Sequence, residues 1–221
     1  GRSVNGTVLM AYAGRGNPDA IPFVRLSYCS GVKDLAIWYP EQVAENITPY
    51  PVCIKNNGGG GSYTIKNVTL VNPYQGIQFG PGFNELFTVR NVYGSPLSSG
   101  LQIADISDIG RSEDIHFNPD IWSASGLPGA PAKGGAHSRY MVENGTGFRL
   151  YRVDWTYAVF LDIRGYAIGM EALASSTGSA NGMLYGCRFT ECQTAVRLVN
   201  THEAGFGFTE CVLSGKVGIE L

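Results

Sequence analysis

Two acidic residues in the second half of the chain have the spacing of a carboxylate pair. If the chain forms stacked repeats, Glu143 and Asp162 fall at the same outward position of successive repeats. Neighbouring parallel strands lie about 4.8 Å apart, so the carboxylates would be about 5 Å apart. Two like charges at that distance raise one pKa, which leaves an acid beside a base or nucleophile. The alignment behind this prediction equates four strand positions: Leu101, Tyr140, Val159 and Val196.

Other side chains are candidate ligand contacts. Two segments, 118–138 and 165–181, are predicted to be loop insertions, and long loops in compact domains are often functional. Aromatic rings in these segments could stack on sugar rings, His137 could reach a groove, and arginines could neutralise an acidic sugar. The predicted substrate-binding residues are Trp122, Tyr166, Arg164, Arg197, His202 and Asp105, with Glu143 and Asp162 as the catalytic residues and no metal ligands.

A short recurring motif predicts the elements that position these residues. A polar or small residue precedes an apolar anchor, and the anchors Val68, Val92 and Ile115 follow one another at intervals of 24 and 23 residues. Longer intervals between the other anchors are consistent with loop insertions. Short strands with alternating apolar residues put one face inside and one outside. The repeat predicts an all-β parallel β-helix, a solenoid of about seven coils of about 24 residues, spanning residues 1–221 as one domain.

A row of Asn and Asp residues marks the bend between two strands of each coil. Asp34, Asn67, Asn91 and Asp114 precede the apolar anchors. Asn and Asp tolerate left-handed backbone conformations better than other residues with side chains. Their side chains can also hydrogen-bond from coil to coil. Asp114 is therefore predicted to be a ladder residue rather than a catalyst, and His116 a surface residue.

Composition restricts the function classes. Charged residues make up 15% of the chain, the net charge is −2, and no block of Lys and Arg is present. This argues against a nucleic-acid or membrane partner. The five cysteines form no CxxC pair, which favours buried free thiols over a disulfide framework or a zinc site.

The strand and bend motifs resemble the pectate-lyase-like superfamily of right-handed single-stranded β-helices. The resemblance rests on Ser30–Ile37, Ile65–Leu70 and Cys187–Leu198, and is closest to the branch with rhamnogalacturonase-like, exo-glucanase-like and phage-tailspike-like domains. That branch usually opens with a Gly-rich Asp-Asp-Thr cap, which is absent here, and the chain stops within a coil at Ile219. We therefore expect a fragment of a longer chain that lacks its N-terminal cap and its C-terminal coils.

Three function classes stay open at this stage. The first prediction is a secreted or cell-surface glycoside hydrolase that cleaves a polysaccharide with a carboxylate pair and needs no cofactor. The first alternative is a polysaccharide lyase for uronic-acid polymers, with Ca²⁺ to bind the sugar carboxylate. The second is a non-catalytic glycan-binding or structural β-helix, which would form a trimer if it is tailspike-like.

Overall fold

The structure, a computed structural model, describes residues 6–221 as a stack of parallel strands. It is an all-β solenoid of about nine turns of about 24 residues, with 6% helix. The predicted fold class is confirmed, whereas the predicted number of coils, about seven, was too low. One of the missed turns contains β1 (Val8–Met10) and β2 (Val24–Leu26), which are short and lack the recurring motif.

The remaining strands follow one another with few interruptions. In chain order they are β3 (Gly31–Trp38), β4 (Val52–Asn56), β5 (Gly60–Gly61), β6 (Thr64–Leu70), β7 (Gln75–Phe79), β8 (Asn84–Glu85), β9 (Thr88–Gly94), β10 (Ser99–Ile103), β11 (Gly110–Phe117), β12 (Thr146–Leu150), β13 (Val153–Val159), β14 (Asp162–Arg164), β15 (Ile168–Ala172), β16 (Ala180–Tyr185), β17 (Arg188–Leu198), β18 (Thr201–Thr209) and β19 (Val212–Glu220). Helices α1 (Asp120–Ser123) and α2 (Ala136–Asn144) lie between β11 and β12.

The sheet wraps around the core as three faces. The first face contains β13, β16, β18 and the parts of β3, β6, β9 and β11 before the bend. The second face contains β1, β14, the parts of those four strands after the bend, and the beginnings of β17 and β19. The third face contains β2, β4, β7, β10, β12, β15 and the ends of β17 and β19. These faces are the possible ligand surfaces.

The predicted bend ladder is confirmed. Asp34, Asn67, Asn91 and Asp114 all have positive φ, between 50° and 61°. The Asn67 amide donates to Asp34 Oδ1 at 2.7 Å, and the Asn91 amide donates to Asn67 Oδ1 at 2.6 Å. Stacked side-chain amides thus hold the first and second faces at a fixed angle. The in-register bend position of the next turn is Phe160, which has a φ of 54° but no polar side chain to continue the ladder.

Inward side chains from all three faces fill the core. On the third face the in-register residues Ile54, Ile77, Leu101, Phe148 and Met170 are each at most 1% exposed. Such a stack buries apolar area at every turn, with a stabilisation of about 25 cal/mol per Å². Because inward and outward residues alternate, each face presents regular outward rows to solvent.

The two predicted insertions differ in the structure. Segment 118–138 is an insertion, and it contains α1 and the beginning of α2, which were not predicted. His137 and Met141, one helical turn apart, bury that face of α2. The prediction of a loop over 165–181 is wrong, because this segment contains β15, a regular rung of the third face.

The cysteines are free thiols, as predicted. Cys53, Cys187 and Cys192 are buried, whereas Cys29 is exposed and Cys211 is partly exposed. Burial raises the pKa of Cys53 and of Cys187 to about 12. These two thiols therefore pack as small apolar side chains rather than react as thiolates.

Candidate functional site

The register of the strands separates the predicted carboxylate pair. Leu101 pairs with Phe148, Phe148 with Met170, and Met170 with Val196. The alignment through Tyr140 and Val159 is therefore wrong, because Tyr140 lies in α2 and Val159 on the first face. Glu143 lies near the end of α2, and Asp162 begins β14 on the second face. The two residues do not occupy matching positions on successive rungs.

Asp162 instead belongs to an outward cluster around His116. His116 Nδ1 lies 3.7 Å from Asp162 Oδ2, and His116 Nε2 lies 2.6 Å from Asp114 Oδ1. The Tyr93 ring stacks on the imidazole at a centroid distance of 4.7 Å. His116 was predicted to be a surface residue, but it is half-buried, with 27% of its side chain exposed. The cluster holds one imidazole between two carboxylates.

The electrostatics of this cluster oppose the predicted acid–base pair. The neighbouring Asp162 carboxylate, together with Asp114, raises the pKa of His116 although partial burial opposes the shift. The neighbouring His116 imidazole in turn lowers the pKa of Asp162. A glycosidase acid needs a carboxyl whose pKa is raised so that it holds a proton near neutral pH. Asp162 has the opposite shift, so its surroundings favour an ion pair.

Arg164 is already neutralised by neighbouring carboxylates. Its guanidinium donates to Asp120 Oδ2 at 2.9 Å and to Glu191 Oε2 at 3.2 Å. Lys133 Nζ lies 3.3 Å from the same Asp120 oxygen. Although burial opposes it, the hydrogen bonds from Arg164 and Lys133 lower the pKa of Asp120. The network ties the helical insertion to β14, which is a structural role for Arg164.

The two predicted aromatic platforms are buried, which contradicts their assignment as sugar contacts. Trp122 is 1% exposed and packs edge-on against His137, with ring centroids 5.3 Å apart. Tyr166 is fully buried, and its hydroxyl donates to the Pro96 carbonyl at 2.8 Å. His137 is buried as well, so it does not reach a groove. All three side chains pack beneath the surface.

Arg197 lies in an outward row of alternating charge on the third face. Glu171 accepts a hydrogen bond from Arg149 at 2.9 Å and lies 3.6 Å from Arg197. Arg197 also donates to Glu220 at 2.9 Å. Consecutive rungs thus carry Arg, Glu, Arg and Glu, and each charge is compensated by a neighbour. This end of the third face is polar, with its charges paired.

The last two predicted contacts lie apart from each other. His202 is exposed near the start of β18, and its Nδ1 accepts the Ala204 amide at 3.2 Å. Asp105 accepts the Gly82 amide at 2.8 Å and a hydrogen bond from the Thr177 hydroxyl. Asp105 also lines a cleft of about 290 Å³ beside the third face, together with Gln102 and Tyr151.

Two further clefts continue along the third face toward its first rungs. They have volumes of about 440 Å³ and about 290 Å³ and share Ile21, Pro22 and Lys55. The segment Pro18–Pro22 forms one wall, and the Gln75 amide holds it by donating to the Pro18 carbonyl at 3.4 Å. Pro81 lines both the second cleft and the cleft at Asp105. We call these three clefts together the third-face groove.

The floor of the third-face groove is a polar row that sequence analysis missed. Arg25, Lys55, Gln78 and Gln102 follow one another in register as outward residues. Among the described residues, neither Arg25 nor Lys55 forms an ion pair, unlike the arginines further along the row. The groove therefore has two uncompensated cations at one end, with amides beyond them. The correct strand register would have revealed this row, since its members lie one coil apart.

The comparisons give no family assignment. No protein-family model matches the chain, and neither a curated protein nor a solved structure matches it significantly. Neither of the two short helices in the described part has the length and apolar character of a membrane span. Over residues 6–221, no group of three or more His, Cys, Asp or Glu side chains is arranged to hold a metal ion. The fold and the third-face groove are the observations on which function can be argued.

Proposed function

We propose that this chain is a carbohydrate-active β-helix protein that binds an extended acidic polysaccharide in the third-face groove. The observation that carries the proposal is the in-register row Arg25, Lys55, Gln78 and Gln102 on the floor of that groove. Rungs recur every 4.8 Å or so, which suits a linear polymer whose units repeat along the solenoid axis. Amide side chains both donate to and accept from sugar hydroxyls.

The charge at one end favours an acidic sugar. Lys and Arg side chains without carboxylate partners form charge-assisted hydrogen bonds with carboxylate or sulfate groups. Asp19 lies in the wall of the same cleft but forms no ion pair with either cation among the described residues. A neutral polysaccharide would leave both cations without compensation. We therefore expect selectivity for uronic-acid or sulfated polymers.

Elimination is the second candidate activity, since an acidic polysaccharide is the substrate that a lyase requires. Neutralisation of a sugar carboxylate by Arg25 or Lys55 would make the adjacent carbon–hydrogen bond more acidic. Hydrolysis by Glu143 and Asp162 stays a prediction, and the lowered pKa of Asp162 speaks against its acting as the acid. A reducing-end assay with parallel ultraviolet detection separates the two, because only elimination leaves an absorbing double bond.

The binding proposal is tested with Arg25→Gln/Lys55→Gln. Isothermal titration with polygalacturonate and dextran oligosaccharides measures acidic and neutral ligands side by side. Each lost charge-assisted contact should weaken polygalacturonate binding about tenfold, which corresponds to about 1.4 kcal/mol. Arg139→Gln, an exposed cation on α2, is the matched control and should leave affinity unchanged. Equal weakening by the control, or unchanged affinity in the double variant, would overturn the proposal.

A further inference from the structure

The first face carries a row of cations on its early rungs. Lys33, Lys66 and Arg90 pair in register and are all exposed, and Arg111 lies exposed in the neighbouring outward row. Like charges directly opposite each other on adjacent strands destabilise a sheet. Arg90 is partly compensated by Glu113 at 3.3 Å. Among the described residues, Lys33, Lys66 and Arg111 form no ion pair.

Exposed aromatic rings occupy the next rungs of the same face and the bend that ends it. Tyr157 is 38% exposed, Tyr185 39% and Phe160 56%. The Phe160 and Tyr185 ring centroids lie 5.7 Å apart in an edge-on arrangement. Tyr157 pairs directly with Arg111, so a guanidinium and an aromatic ring lie one rung apart. Single exposed apolar residues are ordinary, but three aromatic rings beside a cation row form a patch.

Phe160 holds its place in this patch at a conformational cost. It has a φ of 54° at the bend position where other turns have Asp, Asn, Glu or Gly. Bulky residues rarely adopt left-handed φ, and such strain persists where the surrounding structure enforces it, often at functional sites. The ring lies over Gly186, where a Cβ would approach the ring carbons to 2.6 Å. Glycine on the next rung thus leaves room for an exposed ring.

We propose that the first face is a second glycan-binding surface, which stacks an acidic sugar on Tyr157, Phe160 and Tyr185 and pairs its anionic group with Arg111. A sugar ring on Tyr157 places a carboxylate or sulfate one rung away, where Arg111 lies. Aromatic faces pack against the apolar side of sugar rings, and the guanidinium binds the anion. Lys66 and Lys33 extend the charge complementarity toward further acidic units.

The carboxylates nearby favour a sugar over a nucleic acid. Asp34 and Asp114 border the cation row, Glu113 follows Arg90 in the same row, and the Asp34 carboxylate is held by the Asn67 amide. These groups repel any polyanion, and the phosphodiester backbone of DNA has no hydrogen-bond donor to offset that repulsion. Sugar hydroxyls can instead donate hydrogen bonds to them. This site goes beyond the third-face groove, since the two surfaces are on different faces of the solenoid.

The test uses Arg25→Gln/Lys55→Gln as the parent, so that the third-face groove contributes little. This parent should retain a titratable site for polygalacturonate oligosaccharides. Adding Arg111→Gln should weaken that site about tenfold, and adding Phe160→Asn should weaken it about fivefold without loss of stability. Asn tolerates the bend conformation, so Phe160→Asn separates a binding role from a structural one.

Three results would overturn the inference: no residual binding in the parent, no effect of either added substitution, or tighter binding of oligo-deoxythymidine than of polygalacturonate. The two proposals fail separately. Loss of all binding in the parent supports the third-face groove and contradicts the first-face site. If the parent binds with full affinity and adding Arg111→Gln abolishes that binding, the first-face site is supported and the third-face groove is contradicted. Arg139→Gln again serves as the control in the parent background.

Discussion

Replacing Phe160 by Asn should stabilise the protein, although it removes a large apolar side chain. Phe160 has a φ of 54° and is 56% exposed. A non-glycine residue held in the left-handed region costs about 1–3 kcal/mol, and Asn pays less of this cost than an aromatic residue does. The introduced amide would also extend the ladder that already links Asp34, Asn67 and Asn91.

The opposing loss is small because the ring is exposed. Its contacts are the face of Gly186 and the edge of Tyr185, so little apolar area is uncovered when it is removed. At about 25 cal/mol per Å², the loss of half a ring face is below about 1 kcal/mol. The net change should be a gain of about 1 kcal/mol, or a rise in Tm of about 2–4 °C for a chain of this length.

Urea denaturation followed by circular dichroism measures the change. Phe160→Ala is the matched control, because it removes the same ring but provides neither a left-handed preference nor an amide. Phe160→Asn should unfold at higher urea than the wild type, and Phe160→Ala at the same or lower urea. If Asn destabilises the protein as much as Ala does, the ring is held by packing and the strain argument is refuted.

Two further perturbations test the charge networks. Glu171→Gln leaves Arg149 and Arg197 without their shared carboxylate, which is 8% exposed, and should lower the free energy of unfolding in urea by about 1–3 kcal/mol. Glu191→Gln, which removes a 66% exposed carboxylate, should lower it by less than about 0.5 kcal/mol. Equal losses would contradict the stabilising role of the alternating charge row on the third face. His116 has a raised pKa, so its stabilisation is complete below about pH 6.5 and is lost as pH rises through the folded-state pKa. Asp162 has a lowered pKa, so its share is lost as pH falls below about 4. The destabilisation caused by His116→Gln should therefore peak between about pH 4 and about pH 6.5, and a pH-independent difference would refute the ion pair.

The sequence predicts the solenoid because its repeat is regular where the bend residues are Asn or Asp. From Asn67 to Asp114 each anchor follows such a residue, and the predicted ladder and strands match the structure. The next bend residue is Phe160, which hides the true anchor, Leu161, and makes Val153 look equivalent. The register error that paired Glu143 with Asp162 arose at this point.

The candidate site was predictable only in part, for a related reason. A one-residue slip in a strand turns every side chain to the opposite face, and a long insertion hides the correct register. The insertion at 118–138 folds into helices that bury Trp122 and His137. The prediction that these side chains would be exposed on a flexible loop is therefore wrong. Arg25 and Lys55 lie on early rungs whose strands lack the motif, and only the register brings them into one row.

Hydrogen exchange with bound ligand tests the third-face groove most directly. With saturating polygalacturonate oligosaccharides, the amides of Asp19, Ala20 and Ile21 in one wall, and of Asn57 and Gly58 in the other, should exchange more slowly. Slower exchange at both walls, absent with dextran, is the result that the proposal predicts. Unchanged exchange at both walls while the ligand is bound would contradict it and place the polysaccharide elsewhere on the solenoid.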